Sequence, residues 1–406
     1  MRVLLVNAFH YLRGGVERTY FDEARWLAAA GHQVAHLSTH DARNLPSPTA
    51  HLFAPGADYG ERVPATQEPS RWTRVLWSRP AAAAMRRVIE EFQPEVAHLH
   101  APSRYLTPSV LRPLEAARVP VVMTLHDFKP WCTNRIFFAH GAPCERCKGG
   151  HHVHALIEGC VQGSRAKSAA GMVEAYLHDA LDAYRAVRLW IAPSVWVRDK
   201  AIEHQVTPAR LRVLSHGLEP AGPEEAAIEM PGGPFALYAG RLSVEKGVRL
   251  LPGIAARIAP VPLLVVGDGP LWGEIEAAAR AIPNLRPLGY RSDAELATLR
   301  RRAAAVVVPS LFYEHFCYAA AEAMLEARPV AAARIGAIPE LIEHEVTGLL
   351  APPGDADALG VALKRALEEP AATRWAVAGR TRVRAMADPQ RHLDGLLTIY
   401  REAMGG

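Results

Sequence analysis

Short apolar runs recur along the whole chain, each followed by a helix-patterned stretch, and this alternation leaves few folds open. In the first half the runs fall at 2–8, 33–38, 95–100, 119–127 and 189–194, with a helical pattern at 16–30 between the first two. In the second half they fall at 235–240, 262–269, 284–289, 304–310, 329–335 and 348–351. Runs this short, stopped by Gly, Pro or Ser, read as strands buried on both faces, the condition of parallel strands covered by crossover helices. At 406 residues the chain also exceeds what one hydrophobic core usually serves. Breakers cluster between Gly217 and Gly233, in Glu219-Pro220-Ala221-Gly222-Pro223 and Pro231-Gly232-Gly233-Pro234, and mark a division. The expectation is α/β throughout: two doubly wound, Rossmann-like domains facing each other across a cleft.

The first domain is expected over 1–217 with a Cys-rich insertion at about 128–163, the second over 218–385, and a last helix at 386–406 crossing back to the first. Half the residues are hydrophobic and 22% are charged, ordinary for a folded soluble protein. The first residues read as a strand rather than a signal peptide, and no apolar stretch approaches the roughly 20 residues of a membrane span. A cytoplasmic protein is expected. Residues 1–218 hold 26 Lys+Arg against 19 Asp+Glu and 15 of the 18 histidines, whereas 219–406 hold 20 against 23. A basic first half suits an anionic or membrane-associated partner; no nucleic-acid partner is expected.

Ligands of open α/β sheets collect outside the carboxyl ends of the strands. Three segments place chemistry there. Glu314 falls on the loop after the run at 304–310 and Glu322 on the Ala-rich helix that follows, whose first N–H groups suit a phosphate. Gly14-Gly15-Val16-Glu17 follows the first strand and opens a helix, so its backbone can approach a ligand closely. In Tyr238-Ala239-Gly240-Arg241-Leu242-Ser243-Val244-Glu245-Lys246-Gly247 a strand ends in Gly, and Arg241 and Lys246 flank the turn into a helix. Two cations there can neutralise a diphosphate, Arg as a bidentate fork and Lys as a point charge. A lone Arg is normally surface decoration and a two-glycine turn normally a tight loop; a shared sheet edge with two carboxylates favours a site.

Together these motifs resemble the retaining glycosyltransferases of family 4, which have the GT-B fold. Matching pieces include Gly31-His32-Gln33-Val34, Leu125-His126-Asp127, Pro193-Ser194, His216-Gly217-Leu218-Glu219 where the family usually has Asn-Gly, Gly336-Ala337-Ile338-Pro339-Glu340, and Gly348-Leu349-Leu350 leading to Gly354-Asp355. Glu314 and Glu322 match the paired-glutamate motif. The resemblance implies transfer of a sugar from a UDP- or GDP-type donor to a sugar, lipid-linked or small-molecule acceptor, with retention of configuration by front-face attack. It makes Arg241, Lys246, Glu314 and His126 the catalytic candidates and Gly14, Gly15, Gly240, Tyr290, Phe316, Cys317, Tyr318 and Glu322 the donor-binding ones. Glu322 would accept hydrogen bonds from ribose hydroxyls, and His126 would sit near the anomeric centre. No catalytic metal is expected. Cys317 stands where the family often has Gly or Pro, and Ala337 where Gly is usual. A GT-B-fold epimerase or phosphorylase, or a silent sugar-nucleotide-binding module, are the alternatives. A Rossmann dehydrogenase is disfavoured, because no full G-x-G-x-x-G follows Gly14-Gly15.

Cys132, Cys144, Cys147 and Cys160 include one Cys-x-x-Cys pair and suit a structural zinc site. Disulfides, an iron–sulfur site and free thiols are the competing readings; His151, His152 and His154 are spare ligands or solvated loop residues. The segment 71–92, with Trp72, Trp77 and five arginines, reads either as a surface lying on an anionic bilayer or as an ordinary amphipathic helix begun by Pro80.

Overall fold

The computed structural model describes residues 1–56, 74–102, 105–222 and 225–405. The first sheet contains β1 (Arg2–Val6), β2 (Gln33–Leu37), β3 (Val96–Leu99) and β4 (Val121–Thr124). A small antiparallel hairpin of β5 (Phe138–Ala139) and β6 (Ala142–Pro143) precedes β7 (Val187–Ala192) and β8 (Leu211–Val213), which complete the sheet. Its order is β2-β1-β3-β4-β7-β8, all parallel. The second sheet comprises β9 (Ala236–Ala239), β10 (Leu263–Val266), β11 (Leu285–Gly289), β12 (Ala305–Val308), β13 (Val330–Ala333) and β14 (Leu349–Ala351). Its order is β11-β10-β9-β12-β13-β14, again all parallel. The chain thus forms the expected two doubly wound domains.

The strand sequences explain the layering. Leu4 and Val6 of β1 face one helical layer with Ala81, Met85 and Val88, while Val3 and Leu5 face the opposite layer with Tyr20 and Leu27. Successive side chains alternate across the sheet, so a strand covered on both sides must be apolar at every position. Strand β8 gave no such signal: Leu211 is its only buried residue, as befits a sheet edge.

The helix Arg79–Phe92 is capped by Ser78, whose Oγ accepts from the Ala81 amide at 3.2 Å, with Pro80 in its first turn. Ala81, Ala84, Met85 and Val88 bury its apolar face against the sheet, so this stretch forms an ordinary core-facing amphipathic helix. Arg71 and Trp72 lie outside the described residues. No helix of the described residues is long and apolar enough to cross a membrane.

The helix Pro389–Gly405 packs on the first sheet. Leu393, Leu396, Leu397, Ile399, Tyr400 and Ala403 pack with Val3, Leu5, Val96, Val122, Leu189 and Ile191. Each large side chain so buried contributes roughly 1.5–3 kcal/mol, so this helix supplies a sizeable part of the first domain's core. The Leu218 amide donates to the Ala387 carbonyl at 2.8 Å, tying together the two places where the chain passes between domains.

Candidate active site

In each sheet the chain order reverses beside a central strand, between β1 and β3 in the first and between β9 and β12 in the second. Loops leaving such neighbours diverge and open a crevice. In the second domain Gly247 brings the two loops together. It has φ 70, and a Cβ there would lie 1.8 Å from the Pro309 carbonyl oxygen, so only glycine fits. Lys246 Nζ then donates to Glu314 Oε1 at 2.8 Å, and Ser310 Oγ donates to the same oxygen at 2.7 Å. Burial opposes the charge on Lys246, but the Glu314 carboxylate outweighs it and raises the ammonium pKa. The helix expected directly after Lys246 is delayed: two short 3₁₀ turns intervene, and the α-helix starts at Leu251 with Pro252 in its first turn. Arg241 is exposed and has no ion pair among the described residues. Tyr290, just after β11, is 74% exposed, whereas Phe316 and Cys317 are buried.

The first domain meets this site through its glycine turn. Gly15 opens the helix Gly15–Ala29, and the Tyr318 ring lies so close that a Cβ on Gly15 would come within 2.7 Å of it. Thr19 and Tyr318 share a hydrogen bond between their hydroxyls, and Arg18 forms an ion pair with Glu322. Arg300, on the helix Asp293–Arg302, holds the other Glu322 oxygen at 2.8 Å. Glu322, expected to stand open to a diol, is therefore engaged on both oxygens. Neither arginine was evident beforehand, because each is brought to Glu322 only by folding. Cys317 caps the helix Tyr318–Leu325 in a left-handed conformation, φ 66, which costs a non-glycine residue roughly 1–2 kcal/mol.

A column of rings joins the two domains. His126 Nε2 and His100 Nδ1 are 3.0 Å apart; the His126 ring stacks on His216 at 5.1 Å, and His216 stacks on Tyr318 at 5.7 Å. Burial holds His100, His126 and His216 well below the ordinary imidazole range, so all three are neutral near pH 7. Beneath them lies Glu23, 3.2 Å from His98 Nδ1, 3.5 Å from His100 Nε2 and 3.1 Å from His392 Nε2. Burial alone would raise the Glu23 carboxyl, but the imidazoles of His98 and His100 and the hydrogen bond from His392 reverse this and hold it low. Burial likewise opposes charge on His392, and the bond to Glu23 prevails and raises it. The readable signal was His98-x-His100: residues two apart at a strand end point the same way.

Further contacts brace the Glu314 loop. The Ala337 amide donates to the Glu314 carbonyl at 2.9 Å. Glu340 accepts from the amides of Val195 and Trp196 at 2.9 and 2.6 Å, so a carboxylate of the second domain caps a helix of the first. Phe128 stacks on His315 at 4.2 Å, and Trp196 on Tyr313 at 4.6 Å. Behind Phe128, Cys132, Cys144, Cys147 and Cys160 line one cavity. Among the described residues only Glu23, His98 and His100 bring three ligand atoms within 4.8 Å of one another, so the thiols stand further apart than that.

Two doubly wound domains in this tandem arrangement define a glycosyltransferase of the GT-B fold. Residues 13–221 match the family model described as Glycosyltransferase Family 4, and residues 233–369 match Glycosyl transferases group 1. The chain belongs to glycosyltransferase family 4. It is 28% identical over 433 aligned residues to glycogen synthase of Mycobacterium tuberculosis, covering 100% of this chain and 96% of that protein. Sucrose-phosphate synthase of Thermosynechococcus elongatus has the same fold, with TM-score 0.73 at 21% identity over 100% of this chain and 99% of that one. So does Anabaena HepE, solved with UDP and glucose, with TM-score 0.69 at 17% identity over 99% and 100% of the two chains.

Proposed function

We propose that this glycosyltransferase works with retention, moving a sugar from a UDP- or GDP-type nucleotide-diphosphate sugar to a hydroxyl acceptor in the synthesis of a polysaccharide, glycolipid or natural-product glycoside. The observation that carries this reading is the Lys246–Glu314 bond at 2.8 Å, formed where the two switch-point loops of the second sheet meet. A buried carboxylate beside an ammonium can bind sugar hydroxyls on one side and neutralise phosphate on the other. The fold relative solved with UDP and glucose supports the donor class.

On this reading Lys246 and Arg241 meet the charge that develops on the departing diphosphate, where preorganised cations act most strongly. Gly14, Gly15 and Gly240 let backbone come close, and the amides of Phe316, Cys317 and Tyr318 serve sugar and phosphate. Glu322 takes the ribose hydroxyls once Arg18 releases it, which leaves Arg18 free to turn toward the phosphates. His126, being neutral, hydrogen-bonds a sugar hydroxyl without placing a cation beside the anomeric carbon. The acceptor oxygen bonds to that carbon on the face from which the phosphate oxygen leaves, and the acceptor proton passes to the departing phosphate.

A thermal-shift panel with UDP, GDP, ADP, CMP and dTDP, repeated on Glu322→Ala, tests the donor site. One nucleotide should stabilise the wild type selectively and fail to stabilise the variant; no shift with any nucleotide would refute the reading. The anomeric coupling in the product's proton NMR spectrum, compared with the donor's, tests retention.

A further inference from the structure

The segment 128–163 hangs from the carboxyl end of β4 with little regular structure of its own. It holds the two-residue strands β5 and β6 and the six-residue helix Val153–Glu158. Into it go four of the five cysteines, from separate turns. Cys132 follows the Phe128 turn, with its amide bonded to the Phe128 carbonyl at 2.7 Å. Cys144 follows the hairpin, its amide donating to the Phe137 carbonyl at 2.7 Å, and Cys147 starts the next turn. Cys160 lies just beyond the short helix, bonded to the Ala155 carbonyl at 3.3 Å. Each backbone is thus fixed in a turn while all four thiols line the same cavity, with Arg146, His154 and Glu158 around them.

As thiols these groups gain little from converging. Cys132 is 6% exposed, and its sulfur has one polar contact, to Asn134 Oδ1 at 2.9 Å. Burial pushes the Cys132 thiol up to about 12 and the Cys160 thiol up to about 11, with neighbouring thiols adding to the cost of ionisation. A cation in the cavity reverses that cost, because it favours thiolates over thiols. Tetrahedral zinc–thiolate geometry, with Zn–S about 2.3 Å, sets the sulfurs about 3.8 Å apart. The present wider spacing closes to that by rotation of side chains on turns already in place.

We propose that Cys132, Cys144, Cys147 and Cys160 bind one Zn²⁺ as four thiolates, fastening the insertion so that Phe128 is held against His315 beside Glu314. Binding forms four Zn–S bonds and releases the four thiol protons to solvent, leaving a centre of charge −2. Arg146, at the cavity and paired with Glu158, is placed to offset it. The mechanical link is short: Phe128 stacks on Phe137 at 4.3 Å, these two pack with Cys132, and Phe128 stacks on His315. The metal site stands on the cysteines alone; its effect on the Glu314 loop rests on the proposed donor site.

The experiment is elemental analysis of the full chain purified under reducing conditions without chelator, followed by titration of its thiols with a mercurial in the presence of a zinc indicator. One equivalent of zinc, released as four thiols react, supports the proposal. Cys144→Ser and Cys160→Ser should each lose it. Should those variants fail to fold, Co²⁺ exchange into the wild type decides: intense visible bands of tetrahedral cobalt thiolate support the site, and their absence overturns it. Iron with visible absorption, free thiols without metal, or a thiol count lowered by disulfides each overturns it too. For activity, zinc removal should raise the donor KM more than it lowers kcat. A metal-binding chain with no such effect would retain the site and refute the link to the Glu314 loop.

Discussion

Lowering the pH from 7.5 to 6.0 should remove about 3 kcal/mol of stability without any mutation. His10, His100, His204 and His216 are at most 9% exposed. Burial holds His10 and His204 down to about 4, and His100 and His216 well below the usual range. In the unfolded chain each titrates near 6.5, so below that pH the unfolded state binds more protons than the native one and stability falls as pH falls. One such imidazole contributes RT ln(1 + 10^(6.5 − pH)), a difference of about 0.8 kcal/mol between the two pH values, and four contribute about 3. Glu23, with its depressed pKa, gives stability that persists until pH drops through its low folded value, below this window. His392 has the opposite sign. Its raised pKa gives stability that is complete below 6.5 and lost as pH rises through the folded value, so it offsets part of the loss. Against a total of about 5–15 kcal/mol, a loss of this size is readily measured. Urea unfolding at the two pH values supplies the assay, and His204→Phe supplies the control. His204 stacks between Trp131 at 5.4 Å and Phe137 at 5.0 Å, and its Nε2 has no hydrogen-bond partner. A phenyl ring keeps the stacking and removes one titrating group, so the pH-dependent loss should shrink by about 0.8 kcal/mol. Equal stability at both pH values, or an unaltered loss in His204→Phe, would refute the reasoning.

Lys246→Ala should lower kcat/KM for sugar transfer by about 10²–10³-fold in initial-rate assays, the magnitude typical for removing one preorganised electrostatic partner of a developing charge. Gly15→Ala forces a methyl against the Tyr318 ring, so the domains should part: solution scattering should give a larger radius of gyration, and the donor KM should rise. In Gly336→Ala the new Cβ would lie 2.6 Å from the Glu314 backbone at φ 57, so the Glu314 loop should shift and nucleotide-dependent thermal stabilisation should disappear.

Much of this architecture was legible in the residue pattern because strands covered on both faces leave unbroken apolar runs. Both sheets announced themselves, and the proximity of Lys246 to Glu314 followed from placing each at a strand's carboxyl end. The edge strand β8 was not legible, since a three-residue edge carries almost no hydrophobic signal. Nor were the partners of Glu322, because Arg18 and Arg300 reach it from separate elements and nothing local to either predicts the meeting. Glu23, His98, His100 and His392 illustrate the same limit: a helix, a strand end and a distant helix converge, and only the His98–His100 pair was visible beforehand. The comparisons established the family, whereas spacing alone pointed only to an anion-binding crevice.

The packing of the helix Pro389–Gly405 on the first sheet has a consequence for how the protein is made. Domains tend to fold in order as they emerge during synthesis. Here one face of the earliest sheet waits until the entire second domain has been translated, and until then Val3, Leu5, Val122 and Ile191 lack their cover. The nascent first domain therefore leaves the ribosome with an open apolar face, sealed only after both domains exist. A genetic cut between the domains near Gly217 would yield a first half that is sticky on its own, and restoring it would require supplying residues 389–405 in trans.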